Sequence, residues 1–106
     1  MVFYELRQYK IQAGKMNDWV NFMEQVIIPF QTAQGMVITG SFRDEEDDNA
    51  YIWMRRFASD EECKALYTKV YKSDTWRDEI APKIQEMMDS VVSITRILPT
   101  PKSAAQ

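Results

Sequence analysis

The chain has 106 residues, is 45% hydrophobic, and carries 13 Lys and Arg against 16 Asp and Glu, for a net charge of -3, with no histidine and one cysteine. That length holds about one domain with a real core, and an acidic chain with scattered basic residues offers no footprint for a phosphate backbone, so no nucleic acid partner is expected. The missing histidine excludes Ser-His-Asp and Cys-His nucleophiles, the usual zinc and non-haem iron ligand sets and a histidine-ligated haem, while Cys63 alone can build neither an intrachain disulfide nor a multi-cysteine zinc site.

Residues 3–11, "FYELRQYKI", alternate as a strand, with Phe3, Glu5, Arg7, Tyr9 and Ile11 opposite Tyr4, Leu6, Gln8 and Lys10. Gly14 closes it. From Met16 the apolar residues Met16, Trp19, Val20, Met23, Val26, Ile27 and Phe30 follow the three-four spacing of an amphipathic helix. Pro29 removes a backbone donor inside that pattern and predicts a kinked or tightened last turn, and Gly35 supplies the stop. A second strand is predicted at 36–43, "MVITGSFR", then a turn-prone acidic link, "DEEDDN", and a third strand at 51–57, "YIWMRRF". So short a link predicts an antiparallel hairpin.

Ser59 with Glu62 three residues on forms a capping box, and Cys63, Leu66, Tyr67 and Val70 give the helix behind it an apolar stripe. A break near "KSD" at 72–74 separates it from a helical stretch carrying Trp76, Ile80, Ile84, Met87 and Met88, which Pro82 interrupts, so two or three short pieces are expected. Residues 91–98, "VVSITRIL", form the last strand. The order strand, helix, strand, strand, helix, strand predicts an α+β, ferredoxin-like split βαβ fold (βαββαβ): an antiparallel sheet with both helices on one face. The domain spans residues 1–99, and 100–106 is a flexible tail with nothing to bury.

"YIWMRRF" is apolar on both of its faces, and helices cover only one. A second copy of the chain closing face to face over the other, as a homodimer, is the economical cover. No apolar run approaches the roughly 20 residues that span a bilayer, so no membrane span is expected. "MVFYELRQYK" lacks the layout of a signal peptide, which makes the cytoplasm the expected location.

Four stretches carry a family resemblance: "YELRQYKIQAGK" at 4–15, "AQGMVITGSFRD" at 33–44, "YIWMRRF" at 51–57 and "WRDEIAPKIQEMMDS" at 76–90. Taken in register they make the chain similar to the NIPSNAP family, and more narrowly to its bacterial single-domain members. The resemblance implies a ferredoxin-like subunit that pairs into a dimeric α+β barrel, and it implies no reaction. The wider barrel superfamily includes cofactor-free monooxygenases, haem-dependent peroxidase-like enzymes and degraders of small organic compounds, which is an analogy of fold only.

The first and third strands are neighbours in such a sheet, so Glu5, Arg7 and Tyr9 can sit beside Trp53, Arg55 and Phe57. Glu5 is the natural partner of Arg7 or Arg55. The arginine left over could hold an anionic or carbonyl oxygen of a ligand between aromatic walls, or the whole cluster could be an internal ion-pair network that fixes register. Met23, Met87 and Met88 with Trp19 and Trp76 read as core or as the adaptable lid of a pocket, the acidic run 44–48 as a solvated hairpin tip, and Cys63 as inert core. The functional readings are a small dimeric protein binding an apolar or aromatic metabolite with an acidic or carbonyl group, a cofactor-independent monooxygenase or isomerase in which Tyr9 or Glu5 takes a proton, or a self-associating scaffold. Neither a metal nor a cofactor is called for. The sequence leaves open which face of the sheet holds Trp53 and Arg55.

Overall fold

The computed structural model describes all residues, Met1–Gln106. Strand β1 (Phe3–Ile11) leads through Gly14, at φ 78°, into a continuous helical run of α1 (Met16–Phe22), a π turn (Met23–Ile27) and α2 (Ile28–Gln34). Strands β2 (Val37–Arg43) and β3 (Ala50–Phe57) follow, then α3 (Asp60–Tyr71), a second π turn (Trp76–Ile80), α4 (Ala81–Met87) and β4 (Met88–Ile97). The four strands form one antiparallel sheet in the order β2-β3-β1-β4, the ferredoxin-like arrangement expected from the element order.

The proline effect takes a specific form. Where a kinked or tightened turn was expected at Pro29 and an interruption at Pro82, each helix widens into a π turn just before its proline: Ile28 donates its N–H to the Met23 carbonyl ahead of Pro29, and Ala81 to the Trp76 carbonyl ahead of Pro82. A proline ring cannot donate and crowds the carbonyl one α-turn back, and a one-residue widening lets the helix pass it unbroken. Gly35 ends α2 at φ 111° in a Schellman pair, its N–H reaching the Thr32 carbonyl and the Met36 N–H reaching that of Gln31, both at 3.0 Å.

Ser59 caps α3 by accepting from the Glu62 N–H at 3.1 Å, and Glu62 reaches back to the N–H of Ala58. The break at 72–74 is also a cap, since Ser73 accepts from the Trp76 N–H at 3.1 Å. The hairpin tip is organised by Asp44, whose carboxylate accepts from the N–H groups of Glu46 and Asp47.

Two boundaries differ from the sequence expectation. Strand β4 begins at Met88 and not at 91, because Ile11 and Lys10 of the long β1 pair with Met88 and Ser90 and pull those residues out of the helix that their apolar pattern suggested. The segment 100–106, expected to have nothing to bury, folds back over one corner of the sheet: the Tyr4 hydroxyl and the Arg56 Nε donate to the Gln106 carbonyl at 2.9 and 2.8 Å.

Strand β3 settles the question of faces. Tyr51, Trp53, Arg55 and Phe57 are all buried toward the helices, and Ile52, Met54 and Arg56 are half-buried on the opposite face. The core lies between helices and sheet, with Tyr9, Ile11, Trp19, Met23, Ile27, Tyr51 and Trp53 in one cluster and Phe3, Met36, Phe57, Cys63 and Val70 in another. Cys63 is free and buried. The other face keeps Phe42 half exposed beside Ile52. No helix is long and apolar enough to cross a membrane.

Candidate functional site

Antiparallel pairing of β1 with β3 sets Glu5 opposite Arg55 and Arg7 opposite Trp53, so the odd-numbered residues of both strands share the helix-covered face. Glu5 Oε1 accepts from Arg7 Nε and from Arg55 Nη2, both at 2.6 Å, and its other oxygen accepts from the Tyr67 hydroxyl. Burial alone would push this carboxyl up. The Arg55 charge and the N–H it donates, with the bonds from Tyr67 and Arg7, outweigh that and hold it at about 2.

Arg55 is 0% exposed and spends both terminal nitrogens inside the protein. Nη1 donates to Gln31 Oε1 at 2.9 Å, to the Tyr71 hydroxyl at 2.8 Å and to Met36 Sδ at 3.1 Å, and Nη2 adds Tyr67 at 3.1 Å to Glu5. Its guanidinium carbon lies 4.8 Å from the Trp53 ring and 5.3 Å from that of Tyr67. Arg7 is placed differently. It donates Nε to Glu5, Nη1 to Tyr9 and Nη2 to Tyr67, the last two at 3.0 Å, which leaves two of its five N–H groups unspent.

Arg7 is also one of the residues that line a cavity of about 270 Å³ between the sheet and the helices. Arg7, Tyr9, Trp53 and Val91 form its sheet side, Trp19, Met23 and Ile27 one flank, and Tyr71, Trp76, Ala81, Ile84 and Gln85 the other, with Met88 beneath. Both π turns contribute, since Met23, Ile27 and Trp76 belong to them. Exposed Val91 and Gln85 mark the mouth, between β4 and α4. Tyr71 and Trp76 meet edge to face at 4.7 Å. Arg7 is the one charged residue on the wall, and its side chain keeps 15% of its surface accessible.

Of the six residues singled out in the sequence, Arg7, Tyr9 and Trp53 line the cavity, while Glu5, Arg55 and Phe57 stand behind that wall. Sequence reasoning missed Tyr67, Tyr71 and Gln31, which complete the cluster. Tyr67 was visible only as part of an apolar stripe; the signal was its spacing four residues from Tyr71, which puts two hydroxyls on the same helix face. Burial raises the Tyr9 phenol and takes Tyr67 to about 12, so both stay protonated at neutral pH.

Fold and site together define an α+β domain of ferredoxin-like topology with an apolar cavity between sheet and helices, entered beside an edge strand and carrying a single charge. The NIPSNAP family model matches residues 4–104, and the chain belongs to that family. A NIPSNAP family protein from Agrobacterium tumefaciens str. C58 is 22% identical over the whole of both chains with a TM-score of 0.88. A second from the same organism, of unknown function, is 20% identical over 99% of this chain and 94% of its own, with a TM-score of 0.89. A protein from Chloroflexus aurantiacus J-10-fl, described provisionally as an antibiotic biosynthesis monooxygenase, shares the fold at 13% identity, 97% coverage of each chain and a TM-score of 0.63. No protein with a curated description matches the sequence.

Proposed function

We propose that this chain is a small pocket protein that binds an apolar or aromatic metabolite through one acidic or carbonyl oxygen. The observation that carries the reading is the division of labour between the two arginines: Arg55 spends both terminal nitrogens on internal partners and has its unpartnered Nε sealed from solvent, whereas Arg7 keeps unspent donors and lines the wall of a mostly apolar cavity. Arg7 takes the ligand's oxygen, Glu5 orients Arg7, and Tyr9 and Trp53 form the flat walls. Arg55 and Phe57 act from behind the wall, fixing β3 against α2 and α3. At about 270 Å³ the cavity falls just below the roughly 300–1,000 Å³ of drug-sized sites, which favours a ligand of one or two rings.

The sheet face away from the helices, with Val37 and Phe42 exposed and Ile52 half-buried, supports a homodimer in which two sheets close on each other as the dimeric barrel. An oxygenase or isomerase reading gains less support from the site. A carboxylate held at about 2 and a phenol raised by burial are poor acceptors of a substrate proton, so neither Glu5 nor Tyr9 suits general-base work.

All three tryptophans of the chain line the cavity, so intrinsic fluorescence reads its occupancy. Titration with 2-naphthoate should give saturable quenching that is lost in Ala81→Phe, which fills the cavity from α4, and weakened at least tenfold in Arg7→Gln. Quenching that survives unchanged in Ala81→Phe would rule out this cavity as the binding site.

A further inference from the structure

On the reading that the cavity is a binding site, we propose that it takes small apolar weak acids, phenols, enols or carboxylic acids, as their anions, so that capture of the neutral acid releases its proton to solvent. In the buried cluster the guanidinium groups of Arg7 and Arg55 share one carboxylate, Glu5. Every other group bonded to them is neutral: Tyr9, Tyr67 and Tyr71, Gln31 of α2 and Met36. Outside the cluster, Arg96 of β4, opposite Glu5 in register, pairs with Asp60 of α3 at 2.9 Å, and Asp60 also meets Lys64 at 3.0 Å. The remaining walls bring no charge, since α1 and its π turn present Trp19, Met23 and Ile27, and α4 presents Ala81, Ile84 and Gln85.

One positive charge is therefore left without a partner in a low-dielectric setting. Arg55 cannot be its outlet, being closed on all sides. The outlet is Arg7, and what completes the site is one negative charge delivered through the cavity. A dianion such as a phosphate monoester fits badly, because its second charge would meet only apolar walls. Glu5, Tyr9 and Tyr67 keep their protonation states across the neutral range, so a proton released on binding comes from the ligand. An opposite charge within about 4–6 Å lowers an acid's pKa by about 1–3 units, which favours the ionised form over the neutral one by about 10- to 1,000-fold.

The test uses 4-nitrophenol, whose ionised form absorbs at longer wavelength, beside 4-nitroanisole, its neutral methyl ether. At a pH where free nitrophenol is protonated, the bound population should absorb as nitrophenolate, with its apparent pKa lowered by about 1–3 units, and a weakly buffered solution should acidify on mixing. Nitroanisole should quench the tryptophans only at about 10- to 1,000-fold higher concentration. Arg7→Gln should abolish the ionisation shift and Arg7→Lys should retain it; if Arg7→Gln does not fold, the two ligands on the unaltered protein decide the matter. Nitrophenol bound as the neutral phenol, or nitroanisole bound equally tightly, overturns the proposal and leaves cavity binding intact. Absence of quenching by either compound at millimolar concentration overturns both.

Discussion

Arg7 and Arg55 share the carboxylate of Glu5, yet only one of them is free to act. Arg55 has lost all contact with solvent and holds strands to helices through Glu5, Gln31, Tyr67 and Tyr71. Removing it leaves Glu5 paired with Arg7 but takes a donor from buried Gln31, Tyr67, Tyr71 and Glu5, so Arg55→Met should cost about 1–3 kcal/mol, read as a lower urea midpoint. A loss below 1 kcal/mol would mean that the cluster does not hold the fold together. The same cluster sets the response to acid. The Glu5 carboxyl is depressed from 4.5 to about 2, so the folded state binds fewer protons there than the unfolded chain. Its contribution, on the order of 3 kcal/mol, is complete above about pH 4.5 and is lost as pH falls through about 2. Urea midpoints should hold steady down to that upper limit and then drop, with a smaller acid-dependent drop in Glu5→Gln. Identical pH profiles for the two proteins would contradict this assignment.

At the scale of elements, the helices owe their ends to single residues and their middles to prolines. Gly35 sits at φ 111°, and a Cβ there would also approach the Leu66 side chain at 3.3 Å. Gly35→Ala should therefore lower stability by about 1–2 kcal/mol, measured by thermal unfolding, and an unchanged melting temperature would show that the cap is not under this constraint. How much was readable from sequence follows from the same physics. Period-two and three-four patterns are local, so the strands, the capping residues Ser59 and Gly35 and the disturbances at Pro29 and Pro82 could be placed directly. The start of β4 was not readable, because Met87 and Met88 continue a helical stripe and only pairing with Ile11 decides otherwise. Glu5, Arg7 and Arg55 were legible as a cluster because adjacent strands have few registers to choose from. Tyr67, Tyr71 and Gln31 were not, since no local pattern tells which helix residues arrive above a given strand residue.

For the whole molecule, the sheet is finished on one side only. Helices cover Trp53, Arg55 and Phe57, while Ile52 and Met54 lie on a face that the chain covers only at one corner, where residues 97–106 lie against Tyr4, Met54 and Arg56. A dimer closing over this face should sediment as twice the monomer mass at micromolar concentration, and Phe42→Glu, on edge strand β2 beside Ile52, should shift it toward monomer without unfolding it. A stable monomer before any substitution would refute the face-to-face pairing.

Everything proposed for the cavity rests on Arg7 presenting an unmatched positive charge to it, between sheet and helices. A crystal structure of the protein grown with 2-naphthoate tests it most directly. The carboxylate should lie within hydrogen-bond reach of the free Arg7 nitrogens and the rings between Trp53 and Trp76, with the Arg55 contacts to Glu5 and Gln31 unchanged. Naphthoate bound elsewhere, or a cavity closed by its own side chains around an Arg7 turned fully inward, would contradict it.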